Sequence, residues 1–82
     1  MENYEKYQKA FCEVMAVEPD EVRGLKYQGV ENWDSVGHMD LIATLEEEFD
    51  IEMEADDIIA FDSFEKGVEI LKKYKVDIEL PA

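Results

Sequence analysis

Apolar side chains at Met39, Leu41, Ile42, Leu45 and Phe49 fall within one broad arc when each residue is advanced by about 100°. That spacing commits the segment to an amphipathic helix. The residues just ahead of it, Trp33-Asp34-Ser35-Val36, mark where an irregular connector becomes the helix. Asp and Ser are favoured at such junctions because their side-chain oxygens accept hydrogen bonds from first-turn amides that lack a helical partner. The same helix end favours a negative group through those donors and the macrodipole. Three roles are therefore open to Ser35: a cap, a nucleophile, or an attachment point for a phosphate-containing group. The helix is expected to run from Ser35 to about Asp50. Its outward arc carries Val36, Asp40, Ala43 and Glu47, two carboxylates with two small apolar side chains, a more mixed face than solvation alone requires.

The remaining pattern predicts three further helices. The first starts with Asn3 as cap and runs to about Ala16, with Tyr4, Tyr7, Phe11, Val14 and Met15 as its apolar stripe. Cys12 sits about a quarter-turn from that stripe and reads as a small, partly buried side chain. From Val17 to Asp34 the period is lost. Pro19, Gly24 and Gly29 punctuate this stretch, while Val22, Leu25, Tyr27, Val30 and Trp33 serve as anchors for a loop pinned to the core. Pro19-Asp20-Glu21-Val22 allows a short helical turn. A brief third helix is expected over Ala55 to Phe61. Asp62-Ser63 then caps a last helix through about Tyr74, with Phe64, Val68, Leu71 and Tyr74 inward and Lys72, Lys73 and Lys75 near its C-terminal end. Residues 1–2 and the tail Val76 to Ala82 are expected to fray. The predicted architecture is a single all-α domain over 1–82. It is a small four-helix bundle, three main helices plus one short helix, with a long loop between the first and second helices.

Composition narrows the function. A chain of 82 residues with 46% hydrophobic content supports one modest core and no second lobe. Its 22 acidic against 8 basic residues give a net charge of −14, which repels nucleic acid and anionic headgroups and attracts basic protein surfaces. One cysteine excludes a disulfide framework and a cysteine-based zinc site. The acidic start Met1-Glu2-Asn3 is unlike a signal peptide, and no apolar run approaches the length of a membrane span. A cytoplasmic monomer is the expectation.

Hydrolytic chemistry at Ser35 would need a base, an orienting partner and an oxyanion site. The sole histidine, His38, lies three residues along the same helix and projects near the centre of the apolar arc. Asp34-Ser35-Val36-Gly37 also lacks the Gly-x-Ser-x-Gly elbow. The acidic run Asp50, Glu52, Glu54, Asp56 and Asp57 approaches a calcium loop in charge density. It has Ala55 where that loop needs glycine, however, and Phe61 where it needs a bidentate Glu. No metal site is expected. Among the chemical roles, covalent attachment survives best.

From Trp33 onward the chain resembles the acyl carrier protein family. The resemblance rests on Asp34-Ser35-Val36, Asp40-Leu41-Ile42, Leu45-Glu46-Glu47-Glu48-Phe49-Asp50-Ile51 and Asp62-Ser63-Phe64, with a looser likeness at Val17-Glu18-Pro19-Asp20-Glu21-Val22. It implies a non-catalytic, free-standing carrier whose Ser35 receives phosphopantetheine from coenzyme A through a phosphopantetheinyl transferase. The arm's thiol would hold acyl groups as thioesters for enzymes of fatty-acid, polyketide or related specialised biosynthesis. It further implies that acyl-loading and acyl-processing enzymes dock basic patches on Asp34, Val36, Asp40, Ala43 and Glu47, with Glu46 at the margin. Gly37 stands where many fatty-acid carriers have an acidic residue, and His38 where they have a small polar one. The glycine removes a charge and is expected to loosen the helix start. The alternative reading is an acidic protein-interaction module that keeps a carrier-like fold without modification.

Overall fold

A computed structural model describes residues 2–80 of the chain. Among them four α-helices follow in order: α1 (Glu2–Met15), α2 (Ser35–Phe49), α3 (Ala55–Ala60) and α4 (Phe64–Lys72), with no strand. The stripe on α1 buries Tyr4, Tyr7, Phe11 and Met15 together with Ala10. The helix begins earlier than expected, so Asn3 is not its cap. The Asn3 amide instead donates from Nδ2 to the carbonyl of Asp77 at 3.0 Å.

That bond helps dock the tail expected to fray. Val76 and Ile78 are buried while Asp77 and Glu79 face solvent, so the alternation of apolar and acidic residues lets an extended segment pack one side. Met1, Pro81 and Ala82, where fraying is also expected, lie outside the described residues.

Phe11 is the hub of an aromatic core. Its ring centroid lies 5.0 Å from Tyr7, 5.3 Å from Trp33 and 4.8 Å from Phe64, all tilted edge-to-face, and 6.1 Å from Phe61. Such pairs add about 0.5–1.5 kcal/mol beyond their area burial. Leu41, Ile42 and Leu45 of α2 and Val68 and Leu71 of α4 complete this core. The buried Tyr7 hydroxyl donates to the carbonyl of Phe64 at 2.6 Å, and burial, then Glu65, hold that phenol well above its ordinary pKa. Gly67 makes this crossing possible, because a Cβ there would run into both the Tyr7 hydroxyl and the Phe61 ring.

Residues 16–34, between α1 and α2, are fastened at several points. Pro19–Glu21 forms one 3-10 turn, and Val22 and Trp33 are fully buried. Glu65 accepts from Gly24 N–H at 3.1 Å and pairs with Arg23 at 3.1 Å. Phe64 N–H donates to Leu25 O at 2.9 Å, and Tyr27 N–H to Asp62 O at 2.8 Å. The start of α4 thus carries the connector, and Ser63 caps that start by accepting from Lys66 N–H at 3.0 Å.

At about one and a half turns, α3 is too short to be stable alone. The carboxylate of Asp57, buried on α3, accepts from Lys73 at 2.7 Å and from the Tyr74 hydroxyl, while Tyr74 accepts in turn from Glu54 N–H at 2.9 Å. These bonds tie α3 to the end of α4.

Candidate functional site

Asp34, and not Ser35, caps α2. Its backbone is extended (φ −103°, ψ −169°), and its carboxylate accepts from Gly37 N–H at 2.8 Å. The Asp34 carbonyl accepts from His38 N–H at 2.8 Å. Ser35 is therefore the first helical residue, and its exposed side chain has no capping duty. Of the three roles left open by the sequence, the cap is removed.

Gly37 has a structural reason that its sequence context hides. A Cβ at this position would run into the backbone carbonyl of Asn32, so the connector passes against the first turn of α2 only because residue 37 is glycine. Gly37 thus lets the connector pack closely on the helix start. Immediately before it, Trp33 O accepts from Gln28 N–H at 2.9 Å and Trp33 N–H donates to Val30 O at 3.1 Å, which folds the connector into a turn.

His38 occupies the core side of α2, as its projection predicts. The Trp33 indole donates to Nδ1 at 3.0 Å, and Nε2 lies 2.8 Å from the Ile58 carbonyl. An indole N–H only donates and a carbonyl only accepts, so His38 must be the neutral Nε2–H tautomer. Neither nitrogen is left to take a proton from Ser35. The ring lies nearly parallel to that of Trp33 (18°), edge to edge with centroids 6.3 Å apart, with Tyr27 at 5.6 Å and Phe61 at 6.1 Å edge-on.

Beside Ser35 lies an apolar groove of about 350 Å³. Tyr27 of the connector, His38 and Met39 of α2, Ile58 and Ile59 of α3, Asp62 and the buried Phe61 line it. Helical spacing assigns Met39 to the core, yet it is 53% exposed. It sits at the margin of the apolar arc, where α2 meets the groove rather than the interior. Ile59, which also lines the groove, is 80% exposed.

Most of the expected docking face is on the surface. Asp34, Asp40, Ala43 and Glu47 are exposed, as is Val36 at 77%. Glu46 differs: it is half-buried and its carboxylate accepts from Met53 N–H at 2.8 Å. That bond fastens the turn after α2 and occupies the Glu46 carboxylate at the margin of the face.

In the acidic run 50–57, Asp57 is committed to Lys73 and Tyr74. Among the described residues no group of three or more His, Cys, Asp or Glu is arranged to hold a metal ion. Cys12 is half-buried, and its thiol is pushed up by burial and then by Glu18, Glu13 and Glu21, the opposite of an activated nucleophile. No helix among the described residues is long and apolar enough to cross a membrane.

Sequence reasoning missed the groove. Ile58 and Ile59 lie on a helix too short to show a period, and Tyr27 lies in a connector without one. Their convergence on Ser35 is a product of how α3 and the connector pack. Comparison with protein-family models, with curated proteins and with solved structures returned no match.

Proposed function

We propose that this chain is an acyl carrier protein, with Ser35 the attachment point for phosphopantetheine. The observation that supports it most is the pairing of an exposed serine hydroxyl, freed from capping by Asp34, with an apolar groove opening beside it. The likeness of residues 33–51 and 62–64 to carriers supports it independently, as do the size and the all-helical content. The reading carries with it the bundle arrangement and the long first loop expected from the sequence, and a monomer working in the cytoplasm.

The residues present fit the group. The Ser35 hydroxyl is sterically free to form a phosphodiester, and the α2 start offers its positive dipole end. Asp34 already takes the Gly37 N–H, so the phosphate would share that end with a carboxylate and project outward instead of nesting on the amides. When bound, the group supplies the thiol on which acyl chains are carried as thioesters. The chain's own contribution is placement. Met39, Ile59 and Tyr27 offer apolar surface next to the tether, and the exposed carboxylates of Asp40 and Glu47 attract basic partner enzymes, mainly accelerating encounter.

Incubation with coenzyme A and a promiscuous phosphopantetheinyl transferase should raise the intact mass by one phosphopantetheine, and Ser35→Ala should stay unmodified. An unchanged wild-type mass with several transferases, together with tight binding to a basic protein, would favour the unmodified interaction module instead.

A further inference from the structure

We infer that His38 is a proton-sensitive latch that positions the two sides of the groove beside Ser35. The neutral ring joins three parts of the chain at one point: α2, which carries it; the connector, through Trp33 Nε1–H donating to Nδ1 at 3.0 Å; and α3, through Nε2–H donating to Ile58 O at 2.8 Å. Trp33 is fully buried and Ile58 borders the groove, so these bonds fix the connector side and the α3 side relative to the same ring.

Protonation acts unequally on the two bonds. A proton on Nδ1 removes the only lone pair the indole can reach and sets two N–H donors head to head. The Trp33 N–H is then a buried donor without an acceptor, a costly state. The Ile58 bond survives and gains charge assistance, and it lies in the last turn of α3, where a cation is favoured. The connector side is therefore released while the α3 side is kept. Tyr27 of the connector packs against the ring, and Asp62, from the turn between α3 and α4, is the other titratable side chain that lines the groove; Asp34, one turn back on α2, directs its carboxylate to Gly37.

The consequence for a carried group rests on Ser35 being the attachment point, but the latch does not. It is accordingly tested on the 82-residue chain with Ser35 bare. Trp33 and His38 are the only residues of their types, so one indole and one imidazole report without ambiguity in nitrogen-15 NMR. At neutral pH the imidazole should show the Nε2–H tautomer. As pH is lowered until the imidazole takes up a proton, the Trp33 indole N–H and the Tyr27 ring resonances should shift together with the His38 ring nitrogens. Ile58 should keep its bonded carbonyl shift throughout. His38→Gln, a neutral side chain that keeps an acceptor oxygen and a donor N–H but cannot take up a proton in this range, should fold and abolish the pH dependence of both reporters. An Nδ1–H tautomer, an indole resonance that stays fixed while the imidazole titrates, or an equal titration in His38→Gln would each overturn the latch. Because none of these measurements involves the transferase, failure here is distinct from failure of Ser35 to be modified.

Discussion

At the scale of single residues, the start of α2 depends on a division of labour between neighbours. Asp34 holds the Gly37 amide and leaves Ser35 free, so the two side chains should respond differently to truncation. Asp34→Ala should lose about 1 kcal/mol in urea unfolding, the ordinary worth of an N-cap. Ser35→Ala should stay within about 0.5 kcal/mol of wild type, as an exposed position does. The reverse order would return the cap to Ser35. Gly37 supplies a sharper case, since helix propensity alone says that alanine should improve an α-helix by about 1 kcal/mol. Here the added Cβ meets the Asn32 carbonyl, which is backbone and cannot rotate away. Gly37→Ala should therefore lower Tm and broaden the Trp33 indole resonance; an unchanged or raised Tm would contradict the close approach.

At the scale of elements, α3 is held by its neighbours more than by its own six residues. Lys73 foremost, then Tyr74, keeps the Asp57 carboxyl below its usual range against the opposing effect of burial. A depressed native pKa means that the bonds stabilise the fold above the unfolded carboxyl value, roughly pH 4, and that this is lost as pH falls through the native value. The Tm gap between wild type and Asp57→Asn should be full at neutral pH and close in acid. A gap that persists unchanged well below pH 4 would show that Asp57 acts by packing alone. The outward face of α2 makes a separate prediction. Asp40→Lys and Glu47→Lys should slow transfer of phosphopantetheine to Ser35, with a loss that shrinks as salt is added, and should leave helical circular dichroism unchanged. Wild-type rates in both variants would remove these carboxylates from docking. Glu46→Lys should instead destabilise the fold, because it strips Met53 N–H of its acceptor.

At the scale of the whole molecule, one small core is organised around Phe11, and it tolerates little damage. Phe11→Ala should cost about 3–5 kcal/mol. Whole domains hold only about 5–15 kcal/mol, so circular dichroism should show this variant largely unfolded at modest urea. Tyr7→Phe keeps the ring but removes one of the hydrogen bonds to the Phe64 carbonyl, a loss of about 0.5–1.5 kcal/mol in urea unfolding; a neutral result would mean that the bond contributes nothing net. The helices themselves are legible in the sequence because local periodicity and capping chemistry act over three or four residues. Tyr7, Phe11, Leu41, Leu45 and Leu71 can be assigned inward from spacing alone. Ser35 is likewise marked by its place in the chain, as a serine at a helix start. What spacing cannot reach are decisions made between distant segments. Met39, at the margin of the apolar arc, borders a groove instead of the interior, and the Glu46 carboxylate is engaged because the chain returns at Met53. The tail docks because Val76 and Ile78 reach the core, with Asn3 of α1 bonding the backbone between them. Gly37 is a contact point, and His38 a junction of three elements, because the connector crosses α2 there. Sequence determines which faces are apolar and where helices begin; only packing decides which of those faces meet, since that choice depends on contacts between residues far apart in the chain.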